Sequence, residues 1–402
     1  MRAASTRAKA AYARGDIAAL VLESERARDA FPAHPRAAYN LACAYALAGR
    51  KDDAFRALDA FLALEHDLDL RADDDLKGLI DDPRFAALDA RLKSARTPIV
   101  KSQVAFRIPN ADFLSEGIAY DAESRAFYVG SVHQRKIVRI SVDGTVSDFV
   151  TASALGPDFY GPLGLAVDAA RRMLWVCTTA LPEMRDFRES DRGNAALYAI
   201  DLASGKVKAR ILPSNQERHN FNDLAVDHNG DVYFSDAASG EINIVRAGSN
   251  RAEPLVAKGT FVSPQGLVID RETTSLFVAD YARGLARVDL AKGDVTFFDP
   301  AEGAALVGID GLVLAKRSLV AIQNGVAPAR VVAFPLSRDG RRLEGRRVLE
   351  RAHPEYEEPT LGALVDDSLY YVANAQWDAF ASDDAKRIPR KPPTVLKLPL
   401  IP

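Results

Sequence analysis

The sequence predicts a mainly β protein, a six-bladed β-propeller preceded by a small all-α helical domain, and three observations carry that prediction. A short phrase recurs six times after residue 110: a variable residue, a glycine that is replaced once, and an apolar stretch usually ending in Asp. Its first residues are Glu116, Leu163, Asn222, Gln265, Asp310 and Leu361, at steps of 47, 59, 43, 45 and 51 residues. One four-stranded blade consumes about that length. Before residue 95 the periodicity is helical, with few strand signals.

Residues 1–95 read as the helical domain. Two stretches align at an offset of 34, Ala11-Tyr12-Ala13-Arg14-Gly15 with Tyr45-Ala46-Leu47-Ala48-Gly49, and Pro32 falls opposite His66. Leu41, Ala42, Tyr45, Gly49 and Ala54 have the spacing of a closely packed helix pair, and here the chain resembles tetratricopeptide repeats. A third, incomplete unit starts at Asp81-Asp82-Pro83-Arg84-Phe85. The resemblance implies either a concave surface for a protein partner or a cap on the neighbouring domain.

Ser94-Ala95-Arg96-Thr97-Pro98 marks the boundary, and residues 96–402 read as the propeller. Each phrase is followed by a turn and a second strand, such as Ala126-Phe127-Tyr128-Val129 or Asp231-Val232-Tyr233-Phe234. The ends of these second strands are expected to add a second ring near the first, including Ser131, Thr178, Asp236, Asp280, Asn324 and Asn374. The run 394–398 is expected to close the ring beside 104–108. The long second step holds residues 181–191, expected to form a loop over the channel mouth.

A polar residue at one strand start does no more than meet solvent. Four oxygen donors in one structural slot, Glu116, Asn222, Gln265 and Asp310, with Leu163 and Leu361 opposite, are a different matter. Two carboxylates and two amide carbonyls, with no His or Cys, suit a hard divalent cation.

Around these residues the chain resembles the senescence marker protein, gluconolactonase and luciferin-regenerating-enzyme family of six-bladed propellers, over about residues 100–402. Paraoxonases and diisopropylfluorophosphatase are more distant relatives. The resemblance implies one catalytic divalent cation, calcium first, with zinc, magnesium or manganese as alternatives. It carries the Glu of a Glu-Gly phrase onto Glu116, the Asn of an Asn-Asp phrase onto Asn222, and the Asp of an Asp-Gly phrase onto Asp310. Asp310 is also the family's candidate base or nucleophile. Where the family has Asn in an Asn-Gly phrase, Gln265 keeps the carbonyl and adds a methylene. Sugar-lactone-hydrolysing members carry Arg two residues before the Asn of the Asn-Asp phrase, and Asn220 in that place argues against a sugar acid lactone. Asn220, Asp223, Asn324 and Trp377 are expected to contact substrate, with Gln323, Asn374 and Gln376 on the same face. His133 is expected to contact substrate as well, and His133 and His219 are both candidate general bases.

A net charge of -3, with 27% charged and 48% hydrophobic residues, gives no basic excess for nucleic acid or an anionic membrane. The partners expected are a small-molecule substrate and, through the helical repeats, a protein. Cys43 and Cys177 are too few for a disulfide framework and read as buried thiols. No apolar run approaches the roughly 18 residues that span a bilayer. A complete chain starting this way reads as cytoplasmic, a processed one as periplasmic or secreted. The function expected is a metal-dependent hydrolase of a lactone or related ester at the channel. The alternatives are a non-enzymatic binding propeller with a structural cation, and an interaction scaffold.

Overall fold

In four of the blades the Asp that ends the repeated phrase turns the first strand back on itself. Asp121 accepts backbone N–H bonds from Glu123 and Ser124, Asp168 from Arg171, Asp227 from Gly230 and Asp231, and Asp270 from Glu272. A short carboxylate bonding the backbone two to four residues on closes a tight turn. The computed structural model describes residues 2–31, 34–64, 68–270, 272, 274–300, 304–381 and 388–400. In it these hairpins grow into six four-stranded antiparallel sheets, the blades of a propeller.

Each inner strand carries one phrase: Ser115–Asp121, Gly161–Asp168, Phe221–Val226, Pro264–Asp270, Ile309–Ala315 and Gly362–Val365. Six apolar clusters fill the gaps, each shared by two neighbouring blades. Tyr128 and Ile137 of the first blade pack with Leu174 and Val176 of the second, for example, and Ile118 and Val129 with Val372 and Val395 of the last. Burial of both sheet faces holds the blades at fixed angles around the axis. The last sheet is completed by Gln103–Arg107, which pairs antiparallel with Thr394–Pro399 in the register Gln103 to Lys397 and Arg107 to Thr394. Covering that edge leaves the ring without an open seam.

Among the described residues five α-helices precede the ring: α1 (Arg2–Ala13), α2 (Ile17–Ala30), α3 (Pro35–Leu47), α4 (Lys51–Ala63) and α5 (Pro83–Arg96). The 34-residue offset is visible in how α1 and α3 end. Gly15 and Gly49 take φ of 68° and 72°, and Asp16 N and Arg50 N reach back to Ala11 O and Tyr45 O at 3.0 and 2.9 Å. A left-handed glycine with such a bond is a common helix stop. The alignment of Pro32 with His66 lies outside the described residues. Leu58, Phe61 and Phe85 centre a helical core of their own.

Among the described residues the helices are tied to the ring in two regions. Leu64 packs with Ala305 and Val326, and its carbonyl accepts from Arg330 Nη2 at 3.3 Å. Beyond α5, Ile99 pairs with Arg351, and Glu350 accepts the N–H groups of Lys101 and Ser102 at 2.9 and 2.7 Å. Both cysteines are buried and free. Among the described residues no helix is long and apolar enough to cross a membrane.

Candidate functional site

In five blades the pairing of first and second strands slips where the phrase begins. The breaks fall between Ser115 and Ile118, Pro162 and Leu165, Phe221 and Leu224, Pro264 and Leu267, and Ile309 and Gly311. A bulge re-aims the residue it leaves unpaired. Here that residue is the first of the phrase, and all six, Glu116, Leu163, Asn222, Gln265, Asp310 and Leu361, line one cavity of about 590 Å³.

The glycine that follows is a matter of space. A Cβ on Gly117 would sit 2.0 Å from Leu163 O, one on Gly164 2.6 Å from Asn222 O, and one on Gly266 2.5 Å from Asp310 O. Each of these three glycines therefore lets the next blade's phrase close against its backbone. Asp223 stands where the third blade lacks the glycine. Its Oδ1 lies against Gly164 and its Oδ2 accepts from Leu267 N at 3.2 Å, so one carboxylate spans three blades.

Asn220, Asp223, Asn324 and Trp377 also line the cavity. His133 does not. Its Nδ1 is 2.5 Å from Glu183 O, its Nε2 is 3.6 Å from Asp112, and its ring packs on Phe380, so it holds the mouth loop from outside. His219 is buried, with Nδ1 at 2.6 Å from Asp236 and Nε2 at 2.9 Å from Asn215. Neither histidine reaches the ring.

The expected second ring is corrected in the same way, for only Asn324 of its members faces the cavity. Asp236 accepts from Asn220 N at 2.9 Å, Asp280 from Val262 N at 2.7 Å, and Asn374 from Thr394 N at 2.7 Å. Ser131 accepts from Gln134 N and Thr178 donates to Ala196 O. The ends of second strands fix backbone that a pocket does not see. Gln323 and Gln376 are likewise spent on carbonyls, of Ala305 and Val307 and of Asn374 and Lys391.

Hydrogen bonds order the ring. Trp377 Nε1 donates to Glu116 Oε2 at 2.8 Å, and Asn324 Nδ2 to Asp310 Oδ2 at 2.8 Å. Tyr281 donates to Asn324 Oδ1 at 3.0 Å. Asn222 Nδ2 donates to Gln265 Oε1 at 2.5 Å, and Gln265 Nε2 to Ser263 Oγ at 3.0 Å. Glu116 Oε1, Asp310 Oδ1 and Asn222 Oδ1 are left without a donor among the described residues.

Burial, and then the neighbouring Asp310, drive the Glu116 carboxyl well above its ordinary range. Burial does the same to Asp310, against the Asn324 bond, and Glu358 adds to it. Asp223 is pushed up to about 7, chiefly by burial. Arg192, the cation among the described lining residues, is engaged by Glu189 at 2.5 Å. The cluster therefore gathers acids with no ammonium or guanidinium paired to them among the described residues. Oxygen donors of this kind fit a hard divalent cation.

Sequence reasoning missed Glu358, Tyr281, Arg192 and Ser263, all on the cavity wall. Glu358 precedes Pro359, takes φ of 65°, and accepts from Trp377 N at 3.2 Å. Its signal was a carboxylate three residues ahead of Leu361, outside the phrase. Leu181, Pro182 and Glu183 of the long insertion also line the cavity.

No family model matches the chain, and no curated protein matches it. Solved structures do. A structural-genomics target proposed to be a gluconolactonase aligns at 16% identity and a TM-score of 0.50, covering 75% of this chain and 94% of its own. A gluconolactonase from Xanthomonas campestris aligns at 17% and 0.49 over 75% and 94%, and the calcium-binding regucalcin of Agrobacterium tumefaciens at 15% and 0.49 over 73% and 93%. At such identities the likeness is one of fold.

Proposed function

We propose that the chain is a divalent-metal-dependent hydrolase acting on a lactone or related ester at the propeller cavity. The observation that carries the reading is the meeting of Glu116, Asp310, Asn222 and Gln265 in one cavity, with two carboxylates driven up by burial and no opposing cation. These four residues would hold the ion, calcium before zinc, magnesium or manganese. When bound, such an ion supplies Lewis-acid polarisation of an ester carbonyl and acidification of water.

The remaining chemistry belongs to the chain. Asn324 fixes Asp310 through Oδ2, so Oδ1 is free to take a proton from an attacking water. A carboxylate with raised proton affinity is the better base near neutrality. Tyr281 holds Asn324, and Trp377 holds Glu116, so both acids enter the reaction already oriented. Leu163 and Leu361 offer an apolar wall to the rest of the substrate. Asn220 Oδ1, buried without a donor among the described residues, suits a substrate hydroxyl or amide N–H.

In this reading residues 1–95 are a tetratricopeptide-like domain that positions the enzyme or binds a protein, and residues 96–402 carry the chemistry. The deciding experiment is metal analysis of protein purified without chelator, joined to a lactone and ester panel with Asp310→Asn alongside. Metal-dependent turnover that Asp310→Asn abolishes supports the reading. Full metal occupancy without turnover on any ester or lactone sinks the catalytic half of it.

A further inference from the structure

We infer a second ligand site, in the helical part and separate from the propeller cavity, that takes a small elongated zwitterion with an ammonium at one end and a carboxylate at the other. It is a cavity of about 450 Å³ among α1, α2, α3 and the segment carrying Asp73 and Asp75. Ligand pockets of small molecules begin at about 300 Å³. Each helix presents a stripe of one face: residues 5, 8, 9 and 12 of α1, residues 20, 24 and 27 of α2, and residues 36, 40, 43 and 44 of α3. Spacings of three, four and seven place them on one side of a helix.

The two ends of this cavity carry opposite charge. At one end Tyr39 donates to Asp73, Tyr12 donates to Asp75 at 2.9 Å, and Cys43 Sγ lies within 4.8 Å of both carboxylates. Hydroxyl donors are neutral, and among the described residues no Lys or Arg pairs with Asp73 or Asp75, so two negative charges stay uncompensated. Arg36 sits seven residues before Cys43 on α3, about 10 Å away along the axis. Lys9 lies one turn before Tyr12 on α1, toward the same end as Arg36. Neither cation has an ion pair among the described residues, whereas Arg7, Arg26, Arg50, Arg71 and Arg84 all have carboxylate partners.

Between the ends the floor is apolar, with Leu20, Ala27, Ala37 and Ala44 buried. One polar group interrupts it. Ser24 is 2% exposed, lines the cavity, and its Oγ has no partner among the described residues. A buried hydroxyl is nearly always bonded, so the unpartnered Ser24 Oγ marks a polar demand on this wall that the described residues do not meet. A metal is a poorer occupant. Burial pushes the Cys43 thiol up to about 12, away from the thiolate a metal would need, and both carboxylates already accept tyrosine hydroxyls.

The test is calorimetric titration of the full chain with 6-aminohexanoate, using hexanoate and hexylamine as one-ended controls. Saturable binding is expected, at least about tenfold tighter than either control, because each control forgoes a charge-assisted contact. Asp75→Asn should weaken 6-aminohexanoate about tenfold and leave hexanoate unchanged, and Arg36→Gln should leave hexylamine unchanged instead. Both side chains stand on the rim, so circular dichroism should show an intact helical fold. Asp310→Asn, in the propeller, should leave the binding unaltered. No saturable binding, equal affinity for the three compounds, or loss of binding in Asp310→Asn overturns the proposal.

Discussion

Trp377 donates its indole N–H to Glu116 Oε2 at 2.8 Å, so a residue of the last blade orients an acid of the first. Trp377→Phe keeps an aromatic ring over the cavity and removes the donor. If Glu116 binds metal as proposed, affinity should fall by about 1.5 kcal/mol, the scale of a hydrogen bond to a charged group. Calorimetric titration with calcium reads it, and unchanged affinity would separate Glu116 from the metal.

Glu116→Gln and Asp310→Asn should act in opposite directions on two states of the protein. Without metal, either change removes the cost of burying an acid that no cation offsets and should raise the melting temperature. With metal, the stabilisation that comes from binding only the folded chain should shrink or vanish. Differential scanning calorimetry with and without calcium gives both numbers. A metal-induced shift of full size in both variants would falsify the ligand assignment.

Asp223 sets a pH dependence. Its folded carboxyl titrates at about 7 and its unfolded one at about 4. Between those values the folded chain holds a proton that the unfolded chain has released, so stability falls as pH rises from about 4 to about 7. Asp223→Asn keeps an acceptor for Leu267 N and removes the titration. Urea unfolding of the metal-free protein between pH 5 and 8 should show a flatter profile for the variant, and parallel profiles would count against a protonated Asp223.

Gln265 is tied at both ends of its amide, accepting from Asn222 and donating to Ser263. Gln265→Asn keeps a carbonyl in the ring, and Gln265→Leu puts a methyl group before the acids. Metal affinity should rank wild type or Asn first and Leu last, by at least about 1 kcal/mol. Equal affinities in a calcium titration would make Gln265 a lining residue only.

A fragment starting at Thr97 keeps the Ile99 to Arg351 pairing and the Glu350 bonds to Lys101 and Ser102. What it loses includes the Leu64 contact with Ala305, Val326 and Arg330 and the bond from Arg351 Nη2 to Ser94 O at 2.9 Å. The fragment should fold and keep its metal, with a modest drop in melting temperature. Insolubility or loss of metal would make the helices a structural part of the propeller.

The ring was legible because it is written in repeated form. Bulge, glycine and turn-capping Asp recur at blade spacing, so the position of Glu116 or Asp310 could be read from any other copy. Asp223 was visible as the one break in that pattern. Residues outside the repeat had no such template. Glu358 lies three residues ahead of its phrase, and Arg192 comes from a single insertion. Asp236, Asp280 and Asn374 misled for a physical reason: a polar side chain at a strand end serves a backbone N–H as well as a pocket, and sequence does not distinguish the two. His133 and His219 failed the same way, each spent on a neighbour within the fold.

The seam between Gln103–Arg107 and Thr394–Pro399 also fixes when the cavity can exist. A nascent chain emerging from the ribosome presents the first of these strands almost 300 residues before the second. Until the second arrives, the outermost strand has nothing to pair with, and an incomplete row of blades exposes its edge. The bonds that set Glu116 come equally late, since its Trp377 and Thr360 partners lie 261 and 244 residues downstream. Like charges are thus brought together only after the sheets that hold them have formed. A truncated translation product would carry most of the blades and no complete cavity.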